Sequence, residues 1–330
     1  MKKIAVMLSA AALVVAGFTG CGNNAAKTEG EPVAKKLVIG VSLPKADHGW
    51  SGGIISAAEL AKKEIEEANK DVEVVITVGQ DAVEQHDKIE NLVVRGIDAL
   101  VVVCQDPLPI TPACVKAHDK GVYTVIVSNP MSEPSCQDLF VNGDNRNLGE
   151  QAARAIGQLI EGKGKIVVME GVLCPINTMR VEGFRDVMAK EFPEIEILES
   201  KPTDWLTERG YNLMEAYLQK YDHLDAVWAG DDDVLDGVIR AYEKSGRTDV
   251  KAIVGGGGSK SIVKKVMDND PVVRATVTYP PMMAHRGIVE ALNGLRNGKK
   301  PVDGIKEIVI PSEIVTPENA KNFYYPDSRY

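Results

Sequence analysis

LVIGVSLPKADHGWSGGIISAAELAKKEIEEANKDVEVVITV, residues 37–78, holds a complete strand, helix and strand in one unbroken stretch. Leu37 to Leu43 is a short apolar run rich in β-branched residues, the pattern of a strand covered on both faces. From Gly52 to Asn69 the apolar residues change to helical spacing, which assigns Ile54, Ile55, Ala58, Leu60, Ala61 and Ile65 to the buried side. Val72 to Val78 is a strand again.

The same rhythm continues outward. Strands are expected at Ala99 to Cys104 and Val122 to Ser128, with helices near Glu84 to Arg95 and Ile110 to Lys120. A shorter apolar piece, Leu139 to Val141, precedes Gly143 and a helix from Asn147 to Ile160. A second series then starts, with strands at Lys165 to Met169, Ile195 to Leu198, Ala226 to Ala229, Lys251 to Val254 and Ala275 to Val277. Helices fall between them, near Ile176 to Phe192, Thr207 to Tyr221, Asp233 to Ser245 and Ser259 to Asp268. Apolar strands alternating with helices imply an α/β fold with parallel sheets covered on both faces, and two series imply two Rossmann-like lobes.

The amino terminus is of another kind. Lys2 and Lys3 precede an uncharged apolar run from Ile4 to Phe18, then Thr19, Gly20 and Cys21, the order of a secretory signal. The run is shorter than the ~20 residues a helix needs to cross a bilayer, so residues 1–20 read as a removed signal peptide. Small residues before a cysteine resemble the lipobox of bacterial lipoproteins, in which the thiol of Cys21 would carry a diacylglyceryl group. Phe18 stands where that motif usually has leucine. Residues 21–36, rich in Asn, Ala, Lys, Glu and Gly, read as a lipidated tether. The expected location is the extracytoplasmic face of the cell membrane. A net charge of −9, or −11 without Lys2 and Lys3, disfavours nucleic acid as a partner.

In open α/β sheets a ligand lies beyond the carboxyl ends of the strands. Those positions are polar and aromatic here: Ser42, Lys45, Asp47, His48 and Trp50 after the first strand, Gln105 and Asp106 after the third, Ser128 and Asn129 after the fourth. The second series contributes Asp204, Trp205 and Asp231 to Asp233, with Arg180 one turn into a helix and Tyr279 closing the last strand. Carboxylates and amides exchange hydrogen bonds with vicinal hydroxyls, a guanidinium donates in a planar fork, and tryptophan faces pack on C–H surfaces. This set suits a polyhydroxylated small molecule.

From residue 37 onward the chain resembles the ribose-binding type of periplasmic binding protein, the solute receptors of sugar ABC transporters. The resemblance is carried by IGVSLPKADHGWSGGI at 39–54, ENLVVRGIDALVV at 90–102, MRVEGFRDV at 179–187 and AVWAGDDDVLDGVIRA at 226–241. It implies two lobes joined by three crossings, near Gly143 to Asp144, Tyr279 and Pro311. The first lobe would then hold 37–143 plus 280–311 and the second 144–279 plus 312–330. Carried over by position, ligand contacts fall on Asp47 or His48, Trp50, Cys104 or Gln105, Ser128, Asn129, Arg180, Trp205, Asp231 and Tyr279. The implied partners are a monosaccharide, polyol or cyclitol and the permease and ATPase of an importer, with no cofactor and no metal. Ribose binders usually carry Asp-Arg where this chain has Ser128-Asn129, and Phe-Asp where it has Gly256-Gly257. The second departure predicts a larger pocket.

Plainer roles compete for some of these residues. The Asp231 to Asp233 run stands where a helix begins, so one of the three is expected to cap it. Trp228 lies inside a strand and reads as core, and Gly255 to Gly258 reads as a wide pocket or a tight turn because it lacks the rest of a phosphate-binding fingerprint. Cys104, Cys114, Cys136 and Cys174 show no spacing that favours one pairing, and free thiols are expected. A dehydrogenase would need a dinucleotide loop after the first strand, and a sugar-responsive repressor would need a basic helix-turn-helix where the signal stands. A receptor for a chemosensory or signalling partner remains the alternative to transport.

Overall fold

The computed structural model describes residues 36–104 and 106–330. The signal, Cys21 and the tether up to residue 35 lie outside the described residues, as does Gln105. Among the described residues no helix is long and apolar enough to cross a membrane.

The first sheet is built from β1 (Leu37–Pro44), β2 (Val72–Gly79), β3 (Ala99–Val103), β4 (Tyr123–Val127), β5 (Leu139–Gly143) and β11 (Glu307–Ile310). Their order is β2-β1-β3-β4-β5-β11, every neighbouring pair parallel. The second sheet holds β6 (Lys163–Glu170), β7 (Glu194–Pro202), β8 (Ala226–Ala229), β9 (Ala252–Val254), β10 (Val273–Val277) and β12 (Ile314–Val315). Its order, β7-β6-β8-β9-β10-β12, repeats that of the first, except that β12 runs antiparallel to β10. The protein is thus two α/β lobes. The chain passes between the sheets after Gly143, after Val277 and after Ile310.

Helices cover the sheets. In the first lobe they are α1 (Gly49–Ala68), α2 (Ala82–Arg95), α3 (Pro107–Asp119) and α9 (Met283–Arg296), the last packing on α1, β3 and β4. In the second they are α4 (Asn145–Leu159), α5 (Pro175–Glu191), α6 (Thr207–Lys220), α7 (Asp232–Ser245) and α8 (Lys260–Met267). The buried face of α1 is Ile54, Ala57, Ala58, Ala61 and Ile65. Fully burying a side chain such as Ile54 stabilises the lobe by about 1.5–3 kcal/mol. Leu60, assigned to that face by spacing, is 41% exposed, because at about 100° per residue it falls roughly 100° around the helix from Ala61, off the buried stripe.

Helix α4 lies so close to α5 that a Cβ on Gly149 would stand 1.9 Å from the Arg180 carbonyl oxygen, and one on Gly183 2.4 Å from that of Arg146. Two glycines therefore fix where Arg180 sits. Phe184, one turn further on, stacks on Trp228 at 4.1 Å and 4°, and both rings are buried, so Trp228 is core as expected. Helix α3 starts at Pro107, ahead of its expected start. Pro107 needs no hydrogen bond in the first turn, and the Asp106 carboxylate accepts from Leu108 N at 3.0 Å. The four described cysteines are free thiols.

Candidate ligand-binding site

A cavity of about 330 Å³ lies beyond the carboxyl ends of the strands of both sheets. Its size is at the lower end of the ~300–1,000 Å³ usual for small-molecule sites. From the first lobe it is lined by Asp47, His48 and Trp50 after β1, by Cys104 after β3, and by Ser128 and Asn129 after β4. From the second lobe come Arg180 on α5, Trp205 after β7 and Asp231 after β8. Tyr279 lines it from the crossing that follows β10. Of the residues expected at the site, only Gln105 has no described position.

Tyr279 ties the cavity together. Its hydroxyl lies 3.0 Å from Ser128 Oγ of the first lobe and accepts from Asn145 Nδ2 at 3.3 Å. Its carbonyl accepts from Trp50 Nε1 at 2.9 Å, and the two rings are tilted at 5.7 Å. The ring needs the bare backbone of the first crossing, since a Cβ on Gly143 would stand 2.2 Å from Tyr279 Cε2. The Arg180 guanidinium lies over the ring, 4.5 Å from its centroid. That guanidinium is held by donating from Nε to Asn145 Oδ1 at 3.0 Å and from Nη1 to the Gly230 carbonyl at 2.8 Å. Arg180 is 5% exposed, so its orientation is set by packing before any ligand arrives.

Opposite charge sits beside it. Asp231 is the N-cap of α7 and accepts from Asp233 N at 2.8 Å, so one residue serves both as cap and as cavity wall. Burial pushes its carboxyl well above the ordinary range, and the negative charges of Asp233 and Asp232 push the same way, while Arg180 opposes them. A carboxyl so placed can donate a hydrogen bond as well as accept one. Asp232 points away from the cavity and accepts from Ser259 N at 2.7 Å and Thr276 Oγ1 at 2.8 Å. Burial nonetheless raises it to about 7. On the first lobe His48 Nδ1 lies 2.6 Å from Asp47 Oδ1, at the more exposed mouth.

Three of the seven non-glycine residues with left-handed backbone among the described residues stand at the cavity. Ser128 (φ 68°), Asp204 (φ 52°) and Trp205 (φ 57°) all line it in the left-handed region, which costs of order 1–3 kcal/mol for a non-glycine residue. Asn129 Oδ1 and Trp205 Nε1 are buried without a hydrogen-bond partner among the described residues. An acceptor and a donor of this kind are expected where a ligand completes the bonding.

Strand-end reasoning did not assign Val172, Ile176 and Leu206, which line the second lobe's side of the cavity together with Cys174. Ile176 stands in the first turn of α5, so its position could have been inferred from that of Arg180 one turn further along the same helix. Asp204 also lines the cavity, paired with Arg209. The glycine run turns out to be a tight turn: Gly257 (φ 139°) and Gly258 (φ 77°) carry the chain from β9 to α8. The expected enlargement at Gly257 is corrected by the structure, because the Tyr330 hydroxyl stands 2.0 Å from where its Cβ would be.

Residues 39–300 match the family model described as a periplasmic binding protein domain. The chain belongs to the periplasmic binding protein family. Among its relatives is a protein of Rhizobium meliloti named for rhizopine binding, 26% identical over 98% of this chain and 99% of that one. A D-ribose/D-allose-binding protein of Pseudomonas aeruginosa is 29% identical over 69% of this chain and 72% of its own length. Among solved structures, an ABC transporter solute-binding protein of Bacillus halodurans with bound myo-inositol superposes with a TM-score of 0.77 at 24% identity, covering 90% of this chain and 99% of that one. This periplasmic binding protein, like the relatives it matches, is a binding protein and not an enzyme.

Proposed function

We propose that this periplasmic binding protein captures a monosaccharide, polyol or cyclitol between its lobes and delivers it to an ABC importer, held to the extracytoplasmic face of the membrane by a lipid on Cys21. The observation that carries the reading is the buried arrangement of Arg180, Asp231 and Tyr279, oriented by bonds from both lobes and open to one cavity. Hydrogen bonds to charged groups contribute about 1.5–3 kcal/mol each. Three or four of them with a tryptophan platform support binding of about −8 kcal/mol, in the micromolar range. The names of relatives support the ligand class, since they include binders of ribose, ribose and allose, and xylitol.

Ligand that touches both lobes favours the closed arrangement, and a transporter reads the closed surface. Asp47, His48, Trp50, Gln105, Ser128, Asn129, Arg180, Trp205, Asp231 and Tyr279 are the proposed contacts. The lipid keeps the receptor near its transporter: each buried methylene contributes about 0.8 kcal/mol, so two acyl chains hold where one would not. Titration calorimetry against pentoses, hexoses, polyols and cyclitols tests the binding reading, and labelled-lipid incorporation lost in Cys21→Ser tests the anchor.

A further inference from the structure

Beside the cavity, two side chains join the lobes without lining it. Helix α1 begins in the first lobe with N–H groups that have no helical partner. Gly49 N and Trp50 N donate instead to Asp233 Oδ1 and Oδ2, at 3.1 and 3.3 Å, although Asp233 belongs to α7 of the second lobe. A carboxylate at a helix N-terminus also faces the positive end of the helix dipole. The second side chain is Tyr330. It is 7% exposed, and a Cβ built on Gly53 would meet its Cβ at 2.8 Å, one on Gly49 its Cδ2 at 3.2 Å, and one on Gly257 its hydroxyl at 2.0 Å. The ring therefore runs from α1 of the first lobe to the glycine turn of the second. The stretch before it is fastened to the second lobe, where Lys260 Nζ donates to the carbonyls of Ser328 at 2.6 Å and Pro326 at 3.3 Å.

We propose that Asp233 and Tyr330 form a clasp, mounted on the second lobe and gripping the first turns of α1, that holds the lobes together and so tunes ligand affinity without touching ligand. Both are positioning residues. Moving the lobes apart would strip two N–H groups of a charged acceptor and bare an aromatic ring, which weights the balance toward closure before any sugar is counted. The glycines at 49, 53 and 257 are the room the clasp requires. This rests on the proposed hinge closure and adds to it a control point outside the ligand contacts.

The test uses the ligand-free protein, so that it stands apart from the sugar reading. Amide hydrogen exchange and small-angle scattering are measured on the parent, Asp233→Ala, Tyr330→Ala and Tyr330→Phe. The clasp predicts at least tenfold faster exchange at Gly49 and Trp50 in both alanine variants and a larger radius of gyration, while Ile65, in the last turn of α1, keeps its protection. Tyr330→Phe, which retains the ring, should behave as the parent. D-Ribose and myo-inositol, where they bind the parent, should each bind the alanine variants at least tenfold more weakly. Unchanged exchange at Gly49 and Trp50 with unchanged scattering in both alanine variants overturns the proposal, as does an equal loss of protection along the whole of α1. A parent that binds none of the sugars defeats the sugar reading alone.

Discussion

The two lobes share a strand order and differ in what they bring to the cavity. At the ends of β3 and β4 the first lobe presents neutral groups, Cys104, Ser128 and Asn129, with the Asp47–His48 pair at the mouth. The second presents buried ionisable groups, the Arg180 guanidinium and the Asp231 carboxyl, with Asp232 behind. A buried charge is costly unless its partners are already in place, and here the guanidinium has a carbonyl, an amide oxygen and an aromatic face waiting for it. The difference suggests a division of labour in which the second lobe supplies strength and the first supplies fit.

The comparison is most easily broken at Arg180. Arg180→Ala removes two buried hydrogen bonds and the charge that opposes the upward push on Asp231, so sugar affinity should fall at least tenfold and approach a hundredfold by calorimetry, with the circular dichroism of the parent. Asp231→Ala should also weaken binding at least tenfold, with some loss of melting temperature because the cap of α7 goes with it. If neither substitution changes affinity, the cavity is not where ligand binds.

A pH series sharpens the contrast further. Asp232 is raised in the folded protein to about 7, so between its ordinary range and about pH 7 the folded state holds a proton that the unfolded state has released. Stability from this group is therefore full at low pH and declines as pH rises toward 7. Asp249 and Glu199, held down to about 2 by Arg247 and by lysines, act with the opposite sign in a lower window. Thermal melts at pH 5 and pH 7.5 should show the decline, and Asp232→Asn should lessen it, with Asp231, raised for the same reason, keeping the rest. The smallest effect is expected on the neutral side, where Ser128→Ala or Asn129→Ala should weaken binding only a few-fold. A loss there as large as that of Arg180→Ala would erase the proposed division.

The α/β rhythm was legible because strands covered on both faces are continuous apolar runs, as in Ala99–Val103 and Tyr123–Val127, every residue of which is buried. The edge strands were not. Glu307–Ile310 alternates between exposed and half-buried residues, and Ile314–Val315 is two residues long, so neither stands out from a loop without its partner strand. Site residues next to a strand end, such as Asn129 and Trp205, could be placed from the strand alone. Asp233 could not, since its bonds to Gly49 and Trp50 join residues 184 and 183 apart and depend on how the lobes meet. The same holds for Gly257, whose missing side chain reads as empty space until Tyr330 is found in it.

Titration calorimetry of the mature protein against a panel of pentoses, hexoses, polyols and cyclitols puts the central claim at risk most directly. The account predicts that at least one member binds at a single site with micromolar or tighter affinity. Heats no larger than dilution for every member would contradict it.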